Sequence, residues 1–433
     1  MTVSDISKEI KSITSHDKMI RCLDGYSAER MEELDERKTK CPLVKSYMLE
    51  HVGETGKQKN VTEVLSVLGI ESGQIDENLY RILDTRENGE YMGFLEVLTP
   101  RYFVFYTLHP SDKADRWVKN LVLNSPELDH VWLSGLTFNV LWERVLQLSK
   151  PNRYVTIVFV HESIYQVDSE IYEEDEEEKE ISLSLDEGDM VEIVERRASK
   201  FKLVDRISTV KESLSKLQAD YAPLYAISQL RFPSPVGRGG HDFYHNGKVT
   251  NRSGNFRDHR SHILYVQRIY DELMNMTEEK AWYSMYKETV TMPGQFQKLI
   301  GAPVSIIFNE SLSKETFDYW IKSTFGRVNN RFRLWGNPII LGPKKVHVYG
   351  VDKHLWKPIF LELTDKHLIA IVPKGTCGNT IHRLICNIQR YIDPAAKVYI
   401  GDMENGENIT HTEDGITESP DNVTTERPGN VTG

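Results

Sequence analysis

Two stretches of this chain carry one residue pattern 203 positions apart, and a repeated pattern implies a unit that packs against its own copy. Phe103, Val104 and Phe105 correspond to Ile306, Ile307 and Phe308. Asp115, Trp117, Val118 and Lys119 correspond to Asp318, Trp320, Ile321 and Lys322, and Trp132 to Trp335. An insertion around 337–348 then moves the offset to 214. That offset pairs Leu141–Trp142 with Leu355–Trp356, Val145–Leu146 with Ile359–Phe360, and Val155, Ile157 and Val158 with Ile369, Ile371 and Val372. Six of the seven tryptophans fall into three pairs, so the agreement is not an accident of composition. The paired tryptophans are expected in the core.

Each copy reads strand, helix, strand, a further strand or turn, then a strand. The fold class that follows is α+β, with internally duplicated ferredoxin-like α/β sandwich units, a helical N-terminal region and a central helical and loop insertion. The segments are 1–89, helical; 90–168, first repeat; 169–188, an acidic disordered insertion; 189–300, a central helical segment with a loop at 231–262. The second repeat is 301–402, and 403–433 is a disordered acidic tail. Within 1–89, 27–37 and 42–51 carry helix-forming residues, and Asn60 and Glu63 have capping-box spacing. Aromatic and β-branched runs predict strands over 91–99 and 102–108. Helices are expected near 190–195 and at 208–230, 261–276, 278–288 and 378–391, with a strand at 397–400. The run IYEEDEEEKE at 171–180 lacks the apolar residues that would anchor it.

Nothing near the N-terminus resembles a secretory signal, and no run approaches the ~20 apolar residues of a membrane span. Cys22, Cys41, Cys377 and Cys386 are scattered without CxxC pairing, so a disulfide framework is not expected. The sequons at Asn408, Asn422 and Asn430 then carry no weight, and the expected compartment is the cytoplasm. No membrane, cofactor or metal is expected.

With a net charge of −11 the chain repels polyanions on average, so binding one needs a local island of cations. The segment 231–262 offers one. Arg231, Arg238, Lys248, Arg252, Arg257 and Arg260 stand against Asp242 and Asp258, with Phe232, Phe243, Tyr244 and Phe256 between them. Its five glycines allow close backbone approach to a ligand. Guanidinium groups for phosphates and rings for bases suit single-stranded RNA or DNA. His241, His245 and His259 add donors, and Arg331 and Arg333 in the second copy would extend the contact. The plainer reading is a surface loop whose arginines pair with the protein's own carboxylates. His241 and His245 have i, i+4 zinc spacing, but the flanking glycines argue against the helix such a site needs. Cys377 and Arg383 have the C-x5-R spacing of cysteine phosphatases, without the preceding histidine or the hydroxyl residue after the arginine.

Walker, GxGxxG and nucleophile-elbow motifs are all missing. Catalytic residues are therefore unassigned. Three functions follow: a nucleic-acid-binding protein within a larger replication, defence or viral assembly; a non-catalytic assembly or adaptor subunit with other protein subunits as partners; or a phosphodiester hydrolase using the central histidines.

Overall fold

The computed structural model describes residues 11–35, 42–53, 60–86, 89–162, 164, 199–288, 296–325, 330–401 and 403–404. Among these residues the fold is α+β, with two antiparallel sheets and eight α-helices. Cys41, the acidic insertion, the expected helix near 190–195, the sequons and all but two residues of the tail lie outside the described residues.

The first sheet joins β1 (Lys45–His51), β2 (Ile70–Asp76), β3 (Leu79–Asp84), β4 (Glu90–Val97), β5 (Tyr102–Thr107), β6 (Leu128–His130), β7 (Tyr154–His161), β8 (Ser199–Arg206), β9 (Ile227–Pro233), β10 (Gly240–Tyr244) and β11 (Lys248–Asn251). Its order is β2-β3-β4-β5-β1-β11-β10-β9-β7-β8, with β6 also paired to β1. Every residue of β1 and β5 is buried. Alternation explains this. Tyr102, Val104 and Tyr106 point to a core beneath α1 (His16–Asp35), while Phe103 and Phe105 point to one beneath α2 (Val61–Val67) and α3 (Ser111–Asn124). A central strand covered on both faces must be apolar throughout.

After α4 (Gly135–Leu148) and α5 (Val210–Gln218), the 26-residue α6 (Phe256–Ala281) runs ~39 Å and serves both halves of the molecule. Asn255 caps it by accepting from the Asp258 amide at 2.7 Å. Phe256, Ile263, Val266 and Tyr270 belong to the first core, and Ala281 to the second.

The second sheet holds β12 (Trp282–Glu288), β13 (Phe296–Ile300), β14 (Val304–Ile307), β15 (Leu334–Gly342), β16 (Lys345–Asp352), β17 (Lys357–Thr364), β18 (His367–Pro373), β19 (Lys397–Ile400) and β20 (Met403–Glu404). Its main order is β15-β16-β17-β18-β14-β19-β20, with β12 joining β18 through two parallel pairs. α7 (Lys314–Phe325) and α8 (Asn379–Tyr391) share its core.

Several expectations are corrected. The N-terminal region is not wholly helical: 45–51 is a strand because pairing to β5 and β11 overrides its helix-forming residues. The expected helix at 278–288 is the end of α6 followed by β12, and 208–230 holds α5 and then β9. The repeat keeps its conformation at offset 203, where β5 and α3 match β14 and α7. At offset 214 the strands agree, Val155–Val158 in β7 and Ile369–Val372 in β18, but the segments before them do not. Trp142 is buried in α4, whereas Trp356 is 58% exposed in a turn at φ 52°. Val145–Leu146 lies in that helix and Ile359–Phe360 in a strand. Trp335 is exposed too, so the tryptophan pairs are not all core.

Candidate functional site

The segment 231–262 is not a mobile loop. It contributes β9, β10 and β11 to the middle of the first sheet and then the first turns of α6. Its glycines approach the protein's own backbone. Gly239 sits at φ 78°, where an added Cβ would lie 1.8 Å from the Arg252 carbonyl oxygen. No side chain fits there.

Four of the six cations of this segment, Arg231, Lys248, Arg252 and Arg260, are held by carboxylates. Arg231 grips Asp242 through Nε at 2.6 Å and Nη2 at 2.8 Å, and Arg252 Nε reaches the same carboxylate at 2.6 Å. Burial favours the neutral acid at Asp242, but the Arg231 and Arg252 guanidiniums outweigh it and hold the carboxyl below its ordinary range. Arg260 binds Glu96, which also accepts from Tyr106 at 2.8 Å. Lys248, 1% exposed, bonds to Asp115 at 3.0 Å. Arg331 lies 3.5 Å from Glu162, and Arg333 is buried 3.2 Å from Asp129. Only Arg238 and Arg257 are exposed among the cations expected to meet nucleic acid. The rest are buried or half-buried and paired with carboxylates.

The histidines are likewise engaged. His241 Nε2 meets Asp258 at 2.9 Å and His262 Nδ1 meets it at 3.2 Å. His259 reaches Ser46 at 2.8 Å and His241 Nδ1 at 3.3 Å. His245 lies 3.1 Å from Arg390. These rings tie β10 and α6 to each other and to β1 and α8.

A denser cluster sits where the two halves meet, and most of its members carried no signal in the sequence. Arg383, fully buried on α8, binds Asp129 from β6 and Asp352 from the end of β16, and donates to the Phe332 carbonyl at 3.0 Å. Asp129 lies 3.2 Å from Arg333 Nη1 and accepts from Trp132 Nε1 at 3.1 Å. Burial would raise Asp129, but Arg383 and Arg333 keep it well below the usual carboxylate range. The phosphatase-like spacing therefore has no phosphate-gripping arginine, since Arg383 is committed to two carboxylates.

Beside this network, Arg101 Nε bonds to Glu50 at 2.6 Å and its Nη2 to Glu278 at 2.6 Å. Cys377 Sγ lies 3.2 Å from Glu50 Oε2 and 3.4 Å from Arg101 Nη2. Burial, then the Glu50 charge, pushes the Cys377 thiol well up, and burial lifts Glu50 despite Arg101. His354 Nδ1 bonds to the Pro126 carbonyl at 2.8 Å. Arg333, Leu355 and Trp356 flank the cluster with φ between 52° and 62°, a conformation that costs each non-glycine residue about 1 kcal/mol or more.

The outer face of the second sheet is a third feature. Its inner positions, such as Val346, Val348, Leu361 and Ala370, are buried against α7 and α8. Its outer positions are also apolar: Ile307, Trp335, Ile339, Tyr349, Phe360 and Ile371 are 36–60% exposed. Register places Tyr349, Phe360 and Ile371 side by side across three strands. The Tyr349 and Phe360 rings meet edge to face at 5.5 Å. Glu362 on this face is met by Lys345 and His347 at 2.8 Å and His367 at 3.2 Å. A one-sided sheet ordinarily turns polar residues outward. This one does not.

No helix among the described residues is long and apolar enough to cross a membrane. The uncharacterized protein MJECL33 of Methanocaldococcus jannaschii is 22% identical over 378 residues, which span 81% of this chain and 85% of that protein. A model of the MJECL33-like protein family matches residues 7–407, nearly the whole sequence and both sheets, and the chain belongs to that family.

Proposed function

We propose that this protein is a non-catalytic assembly subunit that receives a partner protein on the outer face of its second sheet. The observation that carries this is the row of exposed apolar side chains from Trp335 to Ile371 on a face whose one central carboxylate, Glu362, is already neutralised. Contiguous exposed apolar surface on a folded domain marks a contact site, and aromatic enrichment with few charges is the composition of an interface centre. The strands β19-β14-β18-β17, with α7 and α8 between them in the chain, have the order of a ferredoxin-like sandwich, extended by the β15–β16 hairpin. That order supports reading 304–400 as one such unit.

Sandwiches of this kind that bind single-stranded RNA stack bases on aromatic residues of the sheet. Here the outward residues of the two central strands are Ser305, Ile307, Ile369 and Ile371, which pack against protein side chains better than they stack on bases. The nucleic-acid reading retains Arg238 and Arg257 as its exposed cations from 231–262.

The test places a photo-crosslinking residue at Tyr349 in the full chain expressed in its own cells, then repeats co-purification with Tyr349→Asp and Phe360→Asp. A single protein partner, or a second copy, is expected to crosslink at Tyr349. Each charge should weaken its binding ~30-fold or more, as for a residue worth about 2 kcal/mol at an interface centre. Because both side chains are exposed, stability should change by less than ~0.5 kcal/mol. Undiminished partner binding in both variants would overturn the proposal. So would labelled single-stranded RNA that crosslinks at Tyr349 with a salt-dependent affinity.

A further inference from the structure

We propose that Glu50, His354 and Cys377 form a metal site, binding one zinc-like divalent ion through Oε2, Nε2 and Sγ and joining the two halves of the molecule. His354 supplies the first reason. Its Nδ1 donates to the Pro126 carbonyl at 2.8 Å, which fixes the tautomer and leaves Nε2 with a lone pair. The ring is fully buried, and Nε2 has no hydrogen-bond partner among the described residues. The carboxylate oxygen of Glu50 lies 3.7 Å away, too far and of the wrong kind to satisfy a lone pair. A buried acceptor left this way is costly, and a carbonyl-oriented imidazole with a free nitrogen is how proteins present histidine to a metal.

The spacing and donor types supply the second. The three candidate ligand atoms lie within 4.8 Å of one another, with Sγ 3.2 Å from Glu50 Oε2. Ligands about 2.0–2.3 Å from a tetrahedral zinc stand ~3.5 Å apart. Thiolate, imidazole and carboxylate together suit zinc rather than magnesium or calcium, which prefer oxygen alone. Charge supplies the third. Glu50 and the half-buried Glu278 share one guanidinium, Arg101, which leaves one negative charge in excess. A divalent ion with the Cys377 thiolate brings the group to neutrality. The ion displaces the thiol proton to solvent, and no electron changes hands.

The other histidine cluster lacks this signature. In His241, Asp258 and His262, each ligand atom already meets a partner within the cluster, and both nitrogens of His241 are engaged. The ligands proposed here come from β1, the loop after β16 and the residue before Gly378 at the start of α8, so one ion would staple the first half to the second.

The experiment is metal analysis of the full chain purified from cells grown with zinc, and separately with cobalt. About one equivalent per chain is expected, with the cobalt protein showing a near-ultraviolet thiolate-to-cobalt charge-transfer band. Cys377→Ser and His354→Gln should each lose the band and most of the metal. Cys386→Ala and His241→Ala should keep both. Metal-free wild-type protein overturns the proposal, as does bound cobalt without a thiolate band, readings that hold even if a variant fails to fold. Retention in Cys377→Ser with loss in His241→Ala also overturns it and moves the site to the other cluster.

Discussion

Replacing Arg383 with methionine is expected to destabilise the fold by about 3–5 kcal/mol, the cost of stranding buried carboxylates whose partner is removed. The geometry sets the size of the effect. Arg383, Asp129 and Asp352 are all 0% exposed, and one guanidinium serves both acids while also donating to the Phe332 carbonyl. Asp129 keeps Arg333 at 3.2 Å, whereas Asp352 is left with the Thr380 hydroxyl and the His354 amide. The larger part of the loss therefore falls on Asp352. Arg383→Met combined with Asp352→Asn should recover at least ~1 kcal/mol, because the amide still accepts from Thr380 and carries no charge. Arg383→Lys should behave more like methionine than like arginine, since an ammonium cannot span two carboxylates in fixed directions. Urea unfolding of the three variants, with exposed Arg257→Ala as a control expected within ~0.5 kcal/mol of wild type, gives the comparison. If Arg383→Met stays within about 1 kcal/mol of wild type, the junction is not the keystone described.

What the sequence disclosed, and what it hid, divides along the range of the interactions. The β19 strand falls at 397–400 as expected, and α8 begins one residue past the expected start, because apolar periodicity and a glycine boundary are local signals. The cationic segment misled because its neutralising partners are distant or across a strand. Glu96, which holds Arg260, is 164 residues away, and Asp242 collects Arg231 and Arg252 only once β9, β10 and β11 pair. Glycines that suggested a mobile ligand loop instead allow tight crossings such as Gly239 over Arg252. The repeat was legible over one strand and helix and again in the strands β7 and β18; between them, the aligned tryptophans serve different surroundings. At the junction, Cys377 stood out by its loop, yet its neighbour Glu50 is 327 residues away. One clue was available. Glu50 ends the apolar run Tyr47–Met48–Leu49, and a carboxylate inside a run that reads as fully buried needs a cationic partner.

The same junction makes the fold sensitive to mild acid. His382 is fully buried and meets only hydroxyls, Ser134 at 2.8 Å, Thr137 at 3.4 Å and Thr277 at 3.3 Å, with the Tyr270 ring 5.7 Å away. Burial, then the Arg101 charge, lowers its pKa to about 3. Burial lowers His130 to about 4, where Asp129 favours the charged ring and Arg333 and Arg383 oppose it. Both folded values lie below the ordinary 6.5, so the unfolded chain takes up these protons first. Stability from the two neutral rings is complete above about pH 6.5 and is lost as pH falls toward 4. Each ring contributes a slope of ~1.4 kcal/mol per pH unit below about 6.5, so these two alone should cost about 3 kcal/mol between pH 7.5 and 5.5, and His241 and His259, also lowered by burial, add to it. Asp129, Asp242 and Asp258, all lowered, add to the loss only nearer pH 4. Urea midpoints measured every half unit would expose the slope, and His382→Gln should remove one ring's share of it, ~1.4 kcal/mol between pH 7.5 and 5.5, because an amide can meet the same hydroxyls without titrating. A stability that stays flat from pH 7.5 to 5.5 would mean that these rings reach water, and that the junction opens far more readily than its packing implies.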